Sequence, residues 1–439
     1  MTQDPTPAGD PTPIAADMHA AGTPAQEAEG QPEDGKRRDR RPSGQSVMRE
    51  IMASSGVFIF FAIVLALIIG AILVAAFNPR VHETASYLFA RPTDFFFEVW
   101  QSFRGFFASL FRGAVFDYEA TSVPRMVKPI TESITNSVPL ILAGLSVAVA
   151  FRAGLFNIGA QGQIIIGALV GGYVGIAWQL PPVLHLLVAV LGAALGGAIW
   201  GAIPGILKAR AGANEVIVTI MLNSVALYLL SYFLKTKTYI GQGFAGKSEQ
   251  ITSSAAFPLI LGSPFRLHYG ILLALLAAGF VWWLLERSTL GFEIRAAGAN
   301  PAAARTAGVS VNRTIIVTMI IAGALAGLAA TGPVLGTERF VSNGVAASFG
   351  FDAITVALLG RSKPLGVVFA GLLFGALNAG AATMQAAAQI PVDIVQVSQA
   401  IIVLFIAAPP LVRWLLRLPG PERRTTPRSR VQKKEVAAA

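Results

Sequence analysis

Cysteine is absent from all 439 residues. That excludes disulfides, thiolate metal sites and any catalytic thiol. Only four histidines occur, His19, His82, His185 and His268, and none stands at i,i+4 from another ligand-type residue, so no metal site or cofactor is expected. Charge is scarce too: 13% of residues are charged against 54% hydrophobic, with 44 glycines. This balance excludes an ordinary soluble domain. It fits a polytopic membrane protein, in which glycine is common at tight helix contacts.

The charge that is present is lopsided. The net value is +10, and basic residues crowd two tail segments, Lys36–Arg41 and Arg423–Lys434. Tails of this kind stay solvated or lie against anionic lipid. Without a recognition fold they imply no nucleic-acid partner. Residues 1–50 are poor in hydrophobes and rich in Pro, Ala, Gly and acidic side chains, which predicts a disordered N-terminal tail. Residues 419–439 form the second, basic tail.

Between the tails, residues 56–418 read as an all-α transmembrane bundle. The first apolar run, Gly56–Phe77, is too long for a signal-peptide core and lacks a small-residue cleavage site. Nine more runs approach the length that crosses ~30 Å of hydrocarbon: Thr135–Ala150, Ile164–Trp178, Pro182–Leu207, Val216–Leu234, Tyr269–Leu285, Thr314–Gly336, Phe351–Gly360, Leu365–Met384 and Ile394–Leu411. Phe351–Gly360 is short enough to be a half-helix, so the count is nine or ten. With ten spans and the N-terminus inside, 23 of the 34 Lys and Arg fall on the inner side and 11 on the outer. The positive-inside bias therefore places both termini in the cytoplasm.

Two outer segments stand out. In Asn78–Ile130, "FFFEVWQSFRGFFASLF" (Phe95–Phe111) repeats aromatics on one helical face. That pattern suits either a helix in the outer membrane interface or a lid packed on the spans. In Lys235–His268, "GQGFAGKS" (Gly241–Ser248) satisfies the phosphate-loop pattern letter for letter. A working phosphate loop needs a buried strand before it and a helix after it. Here "KTKTY" precedes and "EQITSSAAF" follows, so nucleotide hydrolysis is not expected of this chain.

Polar groups inside the spans mark candidate transport chemistry. "FRAGLFNIGAQGQIIIGA" (Phe151–Ala168) packs Asn157, Gln161 and Gln163 among glycines, which favours an interrupted helix whose free backbone groups and amides can meet a polar solute. An ordinary turn is the plainer alternative. Asn223 and Asn378 are lone amides within spans, suited to a solute contact or to a helix-to-helix hydrogen bond. Glycines at four-residue spacing, such as Gly197/Gly201/Gly205 and Gly323/Gly327, read as helix-packing positions.

The inner loop Glu286–Arg313 has the make-up of a docking element. Gly291 and Gly298 flank a short segment in which Glu293 and Arg295 present charges. Asn300 then fits an N-cap, Pro301 the first helical position and Gly308 the stop. The resulting helix, Pro301–Ala307, carries small residues such as Ala303 that would enter a partner's groove.

Three stretches, Asn136–Ala168, "GANEVIVTIMLN" (Gly212–Asn223) and "GFEIRAAGANPAAARTAGV" (Gly291–Val309), resemble inner-membrane permease subunits of bacterial ABC importers, in the branch that handles nucleosides and simple sugars. The resemblance covers about Gly56 to Leu418. It implies that Gly291–Val309 docks into a cytoplasmic ATP-binding subunit, with a second permease subunit and an extracellular substrate-binding lipoprotein as further partners. It also implies a site in the bacterial plasma membrane, with nucleosides the leading solute and simple sugars the second. An ion-coupled secondary transporter, from a different class, would carry ionisable residues within its spans; this chain has almost none there.

Overall fold

The computed structural model describes residues 55–240, 246–388 and 390–408. Both tail segments lie outside the described residues. Among the described residues fourteen α-helices follow one another: α1 (Ser55–Phe77), α2 (Pro79–Ala85), α3 (Pro92–Ala114), α4 (Val123–Arg152), α5 (Ala160–Ala177), α6 (Pro182–Ala211), α7 (Glu215–Phe233), α8 (Gly270–Arg287), α9 (Thr289–Ala299), α10 (Pro301–Thr306), α11 (Val311–Ala329), α12 (Phe349–Leu359), α13 (Pro364–Ala388) and α14 (Val392–Ala407). A π-turn, Gly332–Thr337, continues α11. No strand occurs among the described residues, only isolated bridges.

Eight of these helices (α1, α4, α5, α6, α7, α8, α11 with its π-turn, and α13) are long and apolar enough to cross a membrane. The chain is a multi-pass helical bundle. The two other expected spans are shorter: α12 has 11 residues and the described α14 has 16. At 1.5 Å per residue α12 reaches only about 16 Å, which makes it the half-helix allowed by the sequence.

α4 is the axis of the core. It is buried without interruption from Ser137 to Ala150 and packs against α8, α11, α12 and α13. Its preceding stretch is polar yet buried, and the hydroxyls resolve the conflict locally. Thr131, Thr135 and Ser137 donate back to carbonyls three or four residues earlier, at 2.6–2.7 Å; Ser133 donates to the Ala114 carbonyl at 2.6 Å. Such back-bonding lets polar side chains sit in an apolar interior. α6 and α11 pack backbone to backbone. A Cβ at Gly201 would stand 2.5 Å from the Met319 carbonyl oxygen, and one at Gly197 2.7 Å from Gly327 Cα. The four-residue glycine spacing therefore marks backbone-to-backbone contact.

A second apolar cluster joins α1, α3, α13 and α14 through Ala66, Phe106, Leu110, Met384 and Ile402. α3 thereby packs on the spans, one of the two readings its sequence allowed. Phe106 and Leu110 turn onto the spans, while Phe96, Phe97 and Trp100 stay exposed. By contrast α7 buries only Thr219, Ala226 and Leu230, leaving most of its apolar surface uncovered by the other described residues.

Candidate functional site

The break between α4 and α5 is a short turn joining two separate spans, the plainer of the two readings, and its geometry follows from two features. α4 stops at Arg152, after which Gly154 takes φ +71°, a left-handed value that glycine adopts without steric cost. α5 begins only at Ala160, behind Gly159, which offers no side chain to cap it. The first turn of α5 thus needs its N–H groups satisfied from elsewhere.

Four of the five candidate amides gather at the break, and two of them, Asn157 and Asn223, accept N–H groups there. Asn157 accepts the Gly159 N–H at 3.1 Å. Its amide donates to Gln163 Oε1 at 2.9 Å, and Gln163 Nε2 donates back at 3.2 Å. Both side chains are buried. Asn223, reaching over from α7, accepts the Gly162 N–H at 2.8 Å and donates to the Ile158 carbonyl at 3.0 Å. Gln161 donates to the Ala347 carbonyl at 2.8 Å and accepts the Gly350 N–H at 2.9 Å, tying the break to the start of α12. Asn378 stands apart and accepts from Gln399 of α14 at 2.9 Å.

The amides spend their hydrogen bonds on one another and on backbone. In this state Asn157 and Gln163 have no face left for a solute, whereas Gln161 and Asn223 remain half-buried.

Sequence reasoning missed Trp200. Its indole N–H is buried without a partner among the described residues, and it lies close enough that a Cβ on Gly162 would stand 2.9 Å away. Trp200 also lines a cavity of ≈ 560 Å³ between α5, α6 and α7, with Tyr173, Phe233, Thr236, Thr238 and Tyr239. A buried donor without a partner is costly in a native fold. Nothing in the local sequence separates this tryptophan from one facing lipid.

At the chain's other candidate element, the expected cap is present. Asn300 accepts from the Ala302 and Ala303 N–H groups at 3.0 and 3.1 Å, Pro301 opens α10, and Gly308 closes it at φ +86°. The helix ends at Thr306, with Ala307 as its cap. Ala303 is exposed, while Ala304 is buried with Ala297 and Val311. The preceding segment differs from expectation. Gly291 and Gly298 do not flank it; both lie inside an eleven-residue helix, α9, capped by Ser288 Oγ on the Gly291 N–H at 2.9 Å. They are glycines because α9 presses on backbone, at the Leu284 carbonyl for Gly291 and at Arg152–Gly154 for Gly298. Glu293 accepts the Thr314 hydroxyl at 3.3 Å. Arg295 is half-buried, with one guanidinium nitrogen lacking a partner among the described residues.

The phosphate-loop look-alike is described only from Gly246 onward. There Ser248 exchanges hydrogen bonds with Val341, its N–H donating at 2.8 Å and its Oγ accepting at 2.8 Å. Lys247 lies over the Phe340 ring at 4.8 Å. The next helical element is a single 3₁₀ turn at Ser253–Ala255, so no helix N-terminus follows the lysine to cradle a phosphate.

Residues 130–407, which hold the break, the amides and the α9–α10 pair, match the family described as branched-chain amino acid transport system / permease component. The chain belongs to this family. Among curated relatives, a guanosine ABC transporter permease protein of Bacillus subtilis is 43% identical over 294 residues, 65% of this chain and 82% of the relative. A nucleoside ABC transporter permease protein of Lactococcus lactis is 35% identical, covering 70% and 86%. A glucose ABC transporter permease protein of Haloferax volcanii is 36% identical, covering 63% and 75%. These relatives are named as transport permease proteins.

Proposed function

We propose that this chain is the permease subunit of an ATP-driven importer, forming the membrane path for a nucleoside. The observation that carries the reading is the 43% identity to a guanosine permease across four-fifths of that protein's length; the family match over residues 130–407 includes the helix break and the α9–α10 pair. The glucose permease relative supports a simple sugar as the second reading.

In this reading both termini and α9–α10 face the cytoplasm, and the ATP-binding subunit docks on the exposed side of α10 around Ala303. A second permease subunit covers the open apolar face of α7, and the binding lipoprotein meets the opposite end near Gly246–His268. Asn157 and Gln163 hold the break in shape, while Gln161 and Asn223, half-buried at its edge, are placed to exchange partners with a passing solute. Nucleoside hydroxyls and ring nitrogens offer the donors and acceptors that such an exchange requires.

The test is uptake of labelled guanosine into proteoliposomes holding the chain with its co-expressed ATPase and second permease, with the lipoprotein added. ATP-dependent uptake that unlabelled guanosine, but not glucose, suppresses is expected. Suppression by glucose alone would favour the sugar reading. Uptake driven by an ion gradient without ATP would refute both.

A further inference from the structure

We infer that Gly298 is a positioning residue through which the α9–α10 pair sets the backbone of the α4–α5 break. The inference rests on the reading of α10 as the ATPase-docking helix, and adds the route by which docking reaches the solute path.

The contact has no side chain in it. A Cβ at Gly298 would collide with the Arg152 carbonyl oxygen, and would stand 2.8 Å from the Ala153 carbonyl carbon and 3.0 Å from the Gly154 nitrogen. In return, a Cβ at Gly154 would meet the Cα and carbonyl oxygen of Gly298 at 3.3 Å. Gly154 also needs its left-handed φ of +71°. Two glycines thus press helix α9 against the turn that ends α4, main chain on main chain. Side chains adapt by changing rotamer, whereas a backbone contact passes a displacement on without that slack.

Both ends of this contact are anchored. Beyond α9, Asn300 caps α10 immediately, so α9 and α10 meet through a single residue. On the other side, the Arg152 Nε donates to the Ser362 carbonyl at 3.0 Å, pinning the end of α4 to the α12–α13 turn. Three residues after Gly154 stands Asn157, locked to Gln163. Next come Ile158 and Gly162, both held by Asn223, and Gln161, which binds the entry to α12. A shift of α9 therefore falls on the segment whose hydrogen bonds hold the break in shape.

In proteoliposomes containing the full complex, with guanosine as the transported probe, Gly298→Ala is expected to lower guanosine uptake per ATP hydrolysed at least about tenfold in complexes carrying their full complement of ATPase. A packing role alone would reduce assembly or melting temperature and leave that ratio unchanged; an unchanged ratio overturns the inference. A second measurement needs no variant. Amide hydrogen exchange of the wild-type permease is compared with and without bound ATPase. Protection at α10 reports docking, and at least about fivefold altered exchange at residues 153–163 reports transmission. Protection at α10 with no change at 153–163 refutes the route while sparing the docking reading. No protection at α10 removes the docking reading and the inference with it.

Discussion

Replacing Asn223 by leucine separates a structural clamp from a solute contact. The substitution keeps the side chain's approximate size but deletes the acceptor for the Gly162 N–H at 2.8 Å and the donor to the Ile158 carbonyl at 3.0 Å. Gly162 lies in the first turn of α5, so its N–H has no partner within the helix. A buried group left unpaired costs about 1–3 kcal/mol. Asn223 is only half-buried, which favours the lower part of that range, and the loss expected for the two groups together is about 2–4 kcal/mol. Unfolding of the purified permease by a denaturing detergent reads that loss directly, and uptake by the assembled complex should fall with it. A residue that only touches solute would behave differently: stability would hold while the apparent KM rose about fivefold, the equivalent of one hydrogen bond of about 1 kcal/mol. A stability loss below about 0.5 kcal/mol would refute the clamp.

Ala303→Trp should abolish ATPase co-purification and uptake while the permease still inserts, because Ala303 is exposed on α10; full ATPase binding in that variant would move the docking face elsewhere. Lys247→Ala should leave ATP-dependent uptake within about twofold, since that lysine rests on the Phe340 ring; a collapse of ATP hydrolysis with assembly intact would reinstate the loop as a nucleotide site. In this cysteine-free chain, Gln250→Cys should react with an impermeant thiol reagent from outside and Ser310→Cys should not, both positions being exposed; the reverse pattern would invert the topology. Burial, with Arg266 and Arg339 nearby, holds His268 down at about 4. The unfolded chain takes up that proton near pH 6.5 and so binds more protons between the two values. Stability should therefore fall as pH drops from 6.5 towards 4, by about 3 kcal/mol in all, and His268→Asn should flatten that slope in melting curves; an unchanged slope would show that His268 is already charged.

Hydropathy made the spans legible because burying a backbone in hydrocarbon demands long apolar helices. Asn300-Pro301 announced α10 because capping is a local matter of two or three adjacent residues. Non-local pairing was out of reach. Asn223 and Gly162 lie 61 residues apart, and Gln161 binds backbone atoms 186 and 189 residues away that carry no residue-type signature. Gly291 and Gly298 read as the flanks of a short segment since the sequence cannot tell a glycine that ends a helix from one that admits a neighbour's carbonyl. For α3, the aromatic repeat revealed a face without revealing that Phe106 points the other way.

The shortness of α12 bears on how the protein is made. A segment of 11 residues is too brief to partition into a bilayer by its own hydrophobicity, so the insertion machinery has no strong reason to hold it there. Its entry instead carries bonds from Gln161 to Ala347 and Gly350, supplied by a helix synthesised long before. Together with its packing on α4, these bonds favour an order in biogenesis in which α4 and α5 are in place to receive α12. A lesion at Gln161 would surface as misinserted C-terminal spans and degraded chain, well before any defect in solute passage could be seen.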